Sequence, residues 1–201
     1  MKILLVDNQD SFVYNVVGLL CKCGLERNDV DVMRCDSIRY DRLDGYSGVI
    51  LSPGPGIPEE SAGLMRIIAE TVDRMPVLGI CLGHQALAQY FGSGLRHRVH
   101  PLHGHSSRLL IQSPDDPLLQ GIRESGLMRI GRYHSWEVAQ EEVKQPLKVT
   151  SVAEDDGAVM SVRHIERPVF GVQFHPESII TECGEILMRN FLRICRYTHE
   201  Q

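Results

Sequence analysis

Four short stretches of this chain are nearly all apolar, with no alternation: Ile3-Leu4-Leu5-Val6, Val49-Ile50-Leu51, Pro76-Val77-Leu78-Gly79-Ile80 and Val169-Phe170-Gly171-Val172-Gln173-Phe174. A strand with one wet face alternates apolar and polar residues, so runs like these belong to strands covered on both faces. Helical patterns separate them. Residues 11–23 place Phe12, Val16, Leu19, Leu20 and Cys23 on one stripe, and residues 60–73 do the same with Leu64, Ile67, Ile68 and Val72. A last helix is expected over residues 182–196, with Ile186, Leu187, Phe191 and Ile194 inward. Strands alternating with helices predict an α/β fold: a doubly wound, mostly parallel central sheet flanked by helices. Residues 95–162 differ, with short β-like runs at 108–111, 127–130, 147–150 and 159–162. These are expected as additional antiparallel strands attached to the main sheet. At 201 residues, with no repeat and no linker, the chain reads as one domain over residues 1–197 with a short tail at 198–201.

Charge and cysteine usage narrow the function. The net charge of -5 gives no electrostatic footprint for nucleic acid, and the basic run Arg96-His97-Arg98 is too short to supply one. No apolar stretch approaches the roughly 18 residues of a membrane span, and the apolar run after Met1-Lys2 is far short of a signal-peptide core. The expectation is a cytoplasmic protein that binds neither membrane nor nucleic acid. The six cysteines form no C-x-x-C pair, and without a secretion signal a disulfide set is not expected.

One cysteine stands apart. Gly79-Ile80-Cys81-Leu82-Gly83 follows an apolar run and precedes the helical stretch His84-Gln85-Ala86-Leu87-Ala88-Gln89-Tyr90-Phe91. This G-x-C-x-G pattern is the thiol counterpart of the G-x-S-x-G nucleophile elbow. Side chains at 79 and 83 would clash with neighbouring elements, and the turn pushes Cys81 out at the carboxyl end of the sheet, where open α/β folds bind ligands. The helix start supplies unpaired N–H groups and positive potential, which favour the thiolate nucleophile.

A thiolate nucleophile needs a base and a proton donor for its leaving group. Of nine histidines, His175 directly ends an apolar run, in Phe174-His175-Pro176-Glu177-Ser178. Glu177 lies two residues on, spaced so that its carboxylate holds one ring nitrogen while the other faces the thiol. Taken alone, His175 also fits a packing histidine and Glu177 a helix-start acid; the cysteine elbow is what makes them a set. At a further strand end, Ser52-Pro53-Gly54-Pro55-Gly56 leaves backbone N–H groups accessible, and a donor there together with that of Leu82 would form an oxyanion hole.

The motifs S-P-G-P-G, G-I-C-L-G-H-Q and G-V-Q-F-H-P-E-S, in this order and separation over nearly the whole chain, resemble the class I (triad-type) glutamine amidotransferases. The opening Val6-Asp7-Asn8-Gln9-Asp10-Ser11-Phe12-Val13-Tyr14-Asn15 resembles the chorismate-using branch, the second components of anthranilate synthase and of aminodeoxychorismate (para-aminobenzoate) synthase, and Glu177-Ser178-Ile179-Ile180-Thr181-Glu182 fits it too. The resemblance implies Cys81 as nucleophile, His175 as acid and base, and Glu177 as its orienter. It implies that Gly54, Pro55 and Gly56 lie beside the substrate, with Leu82 and the Gly56 region donating to the oxyanion. Gln85, Ser135 and the neighbouring Trp136 would bind L-glutamine, Ser135 through backbone groups. It further implies no cofactor and, as protein partner, a chorismate-binding synthase subunit (component I) that receives the ammonia.

The chain departs from the family pattern at two places. Trp136 replaces the usual Leu after Tyr133-His134-Ser135, and His105 replaces the usual Lys in His103-Gly104-His105-Ser106-Ser107. The cluster of His97, His100, His103 and His105 suggests a metal, but no acid or thiol ligand accompanies it, so no metal site is expected. Alternatives stay open: an amidotransferase serving another acceptor, a γ-glutamyl peptidase, or a regulatory subunit that keeps the fold without the chemistry.

Overall fold

A computed structural model describes residues 1–199. The chain runs β1 (Ile3–Asp7), α1 (Val13–Lys22), β2 (Val30–Arg34), β3 (Gly48–Leu51), α2 (Leu64–Thr71), β4 (Val77–Ile80), α3 (Leu82–Tyr90), β5 (Leu95–His97), β6 (His105–Ile111), α4 (Ile122–Ser125), β7 (Arg129–Arg132), β8 (Trp136–Val138), β9 (Leu147–Ala153), β10 (Val159–His164), β11 (Val169–Val172) and α5 (Gly184–His199). Nine strands form one sheet in the order β2-β1-β3-β4-β11-β10-β9-β6-β7. From β2 to β11 every pair is parallel, and from β11 to β7 every pair is antiparallel. The expected α/β sheet with antiparallel strands from the middle of the chain is thus observed, joined edge to edge in one layer. β5 and β8 pair separately.

The uniformly apolar runs are explained by helices on both faces. Ile3 and Leu5 pack toward α1 and α5, with Val16, Leu20, Leu187 and Phe191. Leu4 and Val6 pack on the opposite face toward α2 and α3, with Leu64, Ile67, Ile68 and Leu87. Adjacent residues of β1 therefore serve opposite layers, and β3, β4 and β11 are buried at every position. Each such Leu, Ile or Val contributes about 1.5–3 kcal/mol. β6 shows the contrast: beyond β11 its burial alternates, as expected of an antiparallel strand with one wet face.

Phe12 does not join the α1 stripe as expected; it precedes the helix as its N-cap residue and is 50% exposed. Val16, Leu19, Leu20 and Cys23 are buried as expected. The last helix carries through His199, into the segment set aside as a tail, and residues 200 and 201 lie outside the described residues.

Strand order places the site. Around β1 the chain first winds outward to β2 and then returns on the other side to β3, which opens a crevice at the carboxyl ends of the parallel strands. The segments leaving β1, β3, β4 and β11 all meet there.

Candidate active site

At the end of β4 the backbone turns on Cys81, which has φ 51° and ψ -101°. A non-glycine residue there costs about 1–3 kcal/mol and persists only when its surroundings enforce it. The enforcement is visible. Cys81 N–H donates to the Val172 carbonyl at 2.8 Å, and its own carbonyl accepts from Gln85 N–H at 3.0 Å. A Cβ on Gly79 would come within 2.4 Å of the Gly83 backbone, and one on Gly83 within 2.5 Å of the Leu51 carbonyl oxygen. The two motif glycines are thus contact points between β4, α3 and β3. Cys81 sits at the start of α3, buried at 6% exposure.

The segment leaving β11 supplies the imidazole. His175 Nδ1 lies 2.7 Å from Glu177 Oε1, and both side chains are buried. His175 Nε2 is buried and has no hydrogen-bond partner of its own. Burial would strip the ring of its proton, but the Cys81 sulfur and the Glu177 carboxylate outweigh that and hold its proton affinity well above the usual 6.5. The ring thus has a sulfur and a carboxylate as its two neighbours, and both favour its protonated form. The Tyr133 ring packs edge-on against it at 5.0 Å.

This segment is strapped to the sheet edge. His175 N–H donates to the Gly131 carbonyl of β7 at 3.0 Å. The Thr181 hydroxyl donates to the His175 carbonyl at 2.6 Å and accepts from Gly131 N–H at 2.9 Å. The Tyr133 and Ser178 hydroxyls share a hydrogen bond at 3.0 Å.

A cavity of about 550 Å³ opens above the sulfur, lined by Cys81, His175, Glu177, Gly54, Pro55 and, among others, Asp10. Of the residues expected at the site, these first five are brought together around one space. Gly56, Leu82, Gln85, Ser135 and Trp136 do not line it. Leu82 and Gln85 lie on α3 directly after the sulfur, and Gly54 packs so tightly on Leu82 that a Cβ would meet its side chain at 2.6 Å. Gln85 Nε2 donates to the Trp136 carbonyl at 2.8 Å and to Gln173 Oε1 at 3.1 Å, while Gln173 Nε2 donates to Cys81 Sγ at 3.6 Å. The Ser135 carbonyl is taken by Arg98 N–H at 2.8 Å. This second side of the sulfur is tightly packed, and the cavity side is open.

Gln173 escaped the sequence reading. The available signal was one amide inside the otherwise apolar run 169–174, at a fully buried position. Arg132 was also missed. It is fully buried, bonds both Asp156 carboxylate oxygens at 3.1 and 3.0 Å, and reaches His134 Nε2 at 3.1 Å. Burial pushes the Asp156 carboxyl up, but Arg132 wins and holds it at about 2. Burial, reinforced by Arg132, pushes His134 down to about 3, so this histidine is neutral and fixed against the Trp136 carbonyl. His105, where the chain departs from the family pattern, lies in hydrogen-bond contact with Asp155, Nε2 to Oδ2 at 3.0 Å. His97 packs edge-on against Trp136, ring centroids 5.0 Å apart, and His103 lines the cavity. Among the described residues, no three His, Cys, Asp or Glu groups assemble as a metal site.

Comparison with known proteins shows the family. A Pseudomonas aeruginosa protein named anthranilate synthase component 2, pyocyanine specific, is 40% identical, covering 97% of this chain and 94% of the relative. A Bacillus subtilis aminodeoxychorismate/anthranilate synthase component 2 is 36% identical, covering 96% and 97%. The crystal structure of a Thermoplasma acidophilum protein, named as a candidate subunit of GMP synthase, matches with a TM-score of 0.84 at 26% identity, covering 100% of this chain and 96% of that one. The family model for glutamine amidotransferase class-I matches residues 4–195, and the chain belongs to that family.

Proposed function

We propose that this chain is the glutaminase subunit of a chorismate-aminating enzyme, hydrolysing L-glutamine at Cys81 and passing ammonia to a separate synthase subunit. One observation carries the chemistry: a raised, carboxylate-held imidazole whose free nitrogen is buried beside a cysteine forced into an elbow. Charge separation between sulfur and ring makes a nucleophile and a proton donor in one step.

The reaction follows from these positions. The Cys81 thiolate attacks the side-chain amide carbon of glutamine, and the carbonyl electron pair moves onto oxygen. Backbone N–H groups at Leu82 and around Gly56 hold that oxyanion, each worth about 3–4 kcal/mol. His175 gives its proton to the amide nitrogen, the C–N bond breaks and ammonia leaves, with a γ-glutamyl thioester on Cys81. His175, now neutral, takes a proton from water as it adds to the thioester, and collapse releases glutamate and restores the ion pair. Glu177 holds Nδ1 so that Nε2 always faces the reacting atoms. Gln85 and the Ser135–Trp136 segment, on the packed side of the sulfur, are assigned to glutamine binding; with the Ser135 carbonyl already engaged, its N–H is the group left for substrate.

Ammonia that reaches bulk water becomes ammonium, which has no lone pair for attack. The open cavity, with exposed Phe12 and fully exposed Ile179 in its lining, gives a route out and a face for the partner. The relatives named as second components of anthranilate and aminodeoxychorismate synthases favour a chorismate-binding first component as the partner. Reconstitution with such a synthase tests this. Amination of chorismate should depend on glutamine and be lost in Cys81→Ala, while added ammonia restores it. Equal glutamine-dependent product from Cys81→Ala would refute the proposal.

A further inference from the structure

The cavity that holds Cys81 and His175 also holds a third carboxylate that the chemistry above does not use. Asp10 follows β1 in a segment locked in place. Asn8 N–H donates to Ser52 Oγ at 3.0 Å, its side-chain amide donates to the Ser52 carbonyl at 2.9 Å, and Asp10 N–H donates to Asp7 Oδ1 at 3.1 Å. Between them Gln9 is forced to φ 62°. A strained non-glycine residue costs about 1–3 kcal/mol, and such strain gathers where a neighbouring side chain must be aimed. The side chain aimed here is Asp10, half-buried, its Oδ1 accepting from Phe12 N–H. A turn built only to start α1 would leave such an acid in solvent. Here it shares one cavity with Cys81, His175 and Glu177.

We propose that Asp10 is a positioning residue for glutamine hydrolysis: from within the cavity it shares with His175, its negative charge holds the ring in the protonated form needed when the amide nitrogen departs. The titratable groups around His175 are Cys81 from the start of α3, Glu177 on its own segment and Tyr133 after β7, with Asp10 after β1 and His103 before β6 lining the same cavity. Glu177 bonds Nδ1 directly; Asp10 acts through space within the shared cavity. Its own carboxyl is raised by burial, with Phe12 N–H and His175 pulling the other way. Below that raised value Asp10 loses its charge and its hold on the ring weakens. Water that fills the cavity weakens it too, and a partner that seals the cavity strengthens it.

The inference rests on the proposed glutaminase reaction, so its test has a readout that does not. In isotope-labelled full-length chain, the His175 ring is titrated by NMR, its signal assigned by loss in His175→Asn. Asp10→Asn keeps an oxygen that accepts from Phe12 N–H and removes only the charge. The His175 midpoint should fall by roughly half to one pH unit, and the alkaline limb of glutamine hydrolysis should move to lower pH by the same amount. Asp10→Glu should restore both. If the Asn variant disturbs the turn, Asp10→Ser offers the same acceptor without charge and should show the same fall. An unchanged His175 titration in either folded neutral variant overturns the role of Asp10, whatever the activity. A normal titration shift in a wild-type chain that does not hydrolyse glutamine would instead overturn the reaction.

Discussion

Adding one methyl group at Gly79 probes the elbow more sharply than removing any side chain. The new Cβ would sit 2.4 Å from the Gly83 carbon and oxygen and 2.6 Å from His84 N, whereas ordinary contact begins at 3.4 Å. The obstacle is backbone at the first turn of α3, so no side chain can swing away. Relief requires β4 and α3 to separate by about 1 Å, the shortfall between 3.4 and 2.4 Å. Overpacking of this kind costs roughly 1–3 kcal/mol. The same movement carries Cys81 away from His175, and a 1 Å misplacement of reacting groups costs about 100-fold in rate. Gly79→Ala should therefore lower the urea midpoint by about 1 M and reduce kcat/KM by about 100-fold in protein that remains folded. Gly18→Ala is the control: a Cβ at this exposed position on α1 meets nothing within 4 Å. It should stabilise by about 0.5–1 kcal/mol through helix propensity and leave activity unchanged. A Gly79→Ala protein with wild-type midpoint and wild-type turnover would refute the reasoning.

Glu177→Gln keeps an oxygen for His175 Nδ1 but loses the charge; kcat for glutamine hydrolysis should fall about 10²–10⁴-fold and its alkaline limb should move to lower pH, and unchanged kinetics would sink the orienting role. Thr181→Val removes the hydroxyl that ties His175 to Gly131, and should lose about 1–3 kcal/mol in denaturant melts together with turnover, with Thr181→Ser restoring both. His84 is fully buried, and burial pushes it down to about 3, as it does His134. Histidines depressed in the folded state contribute stability that is present above the unfolded value near 6.5 and is lost as pH falls toward 3, by up to about 1.4 kcal/mol per pH unit for each. Urea midpoints measured from pH 7 to 5 should fall accordingly, and His84→Gln should flatten the slope; a flat wild-type profile would contradict the burial.

The parts legible in the sequence were those where one physical demand dominates. Val49-Ile50-Leu51 and Val77-Leu78-Gly79-Ile80 are apolar throughout because helices cover both faces, so their strands stood out. β2, with Val30-Asp31-Val32-Met33-Arg34, lies at the sheet edge and is mostly half-buried, so its composition looks like a loop. The three-residue strands β5 and β8 hold Arg96 and Glu137, an ion pair across the ladder that reads as surface charge. The proposed reacting groups were legible because Cys81, His175 and Glu177 sit on strand-end turns with steric signatures in glycine and proline. Gln173, Arg132 and Asp10 were not, because their importance comes from neighbours far along the chain: Cys81, Asp156 and His175 respectively.

The most direct measurement is active-site labelling with a diazoketone analogue of glutamine, followed by mass mapping of the six cysteines. The reagent must be recognised as glutamine, bound beside the sulfur and attacked by it. Modification should fall on Cys81 alone, be suppressed by excess glutamine, and slow sharply in His175→Ala. Equal labelling of several cysteines, or active protein whose label sits elsewhere while Cys81 stays free, would contradict the assignment of Cys81 as the nucleophile.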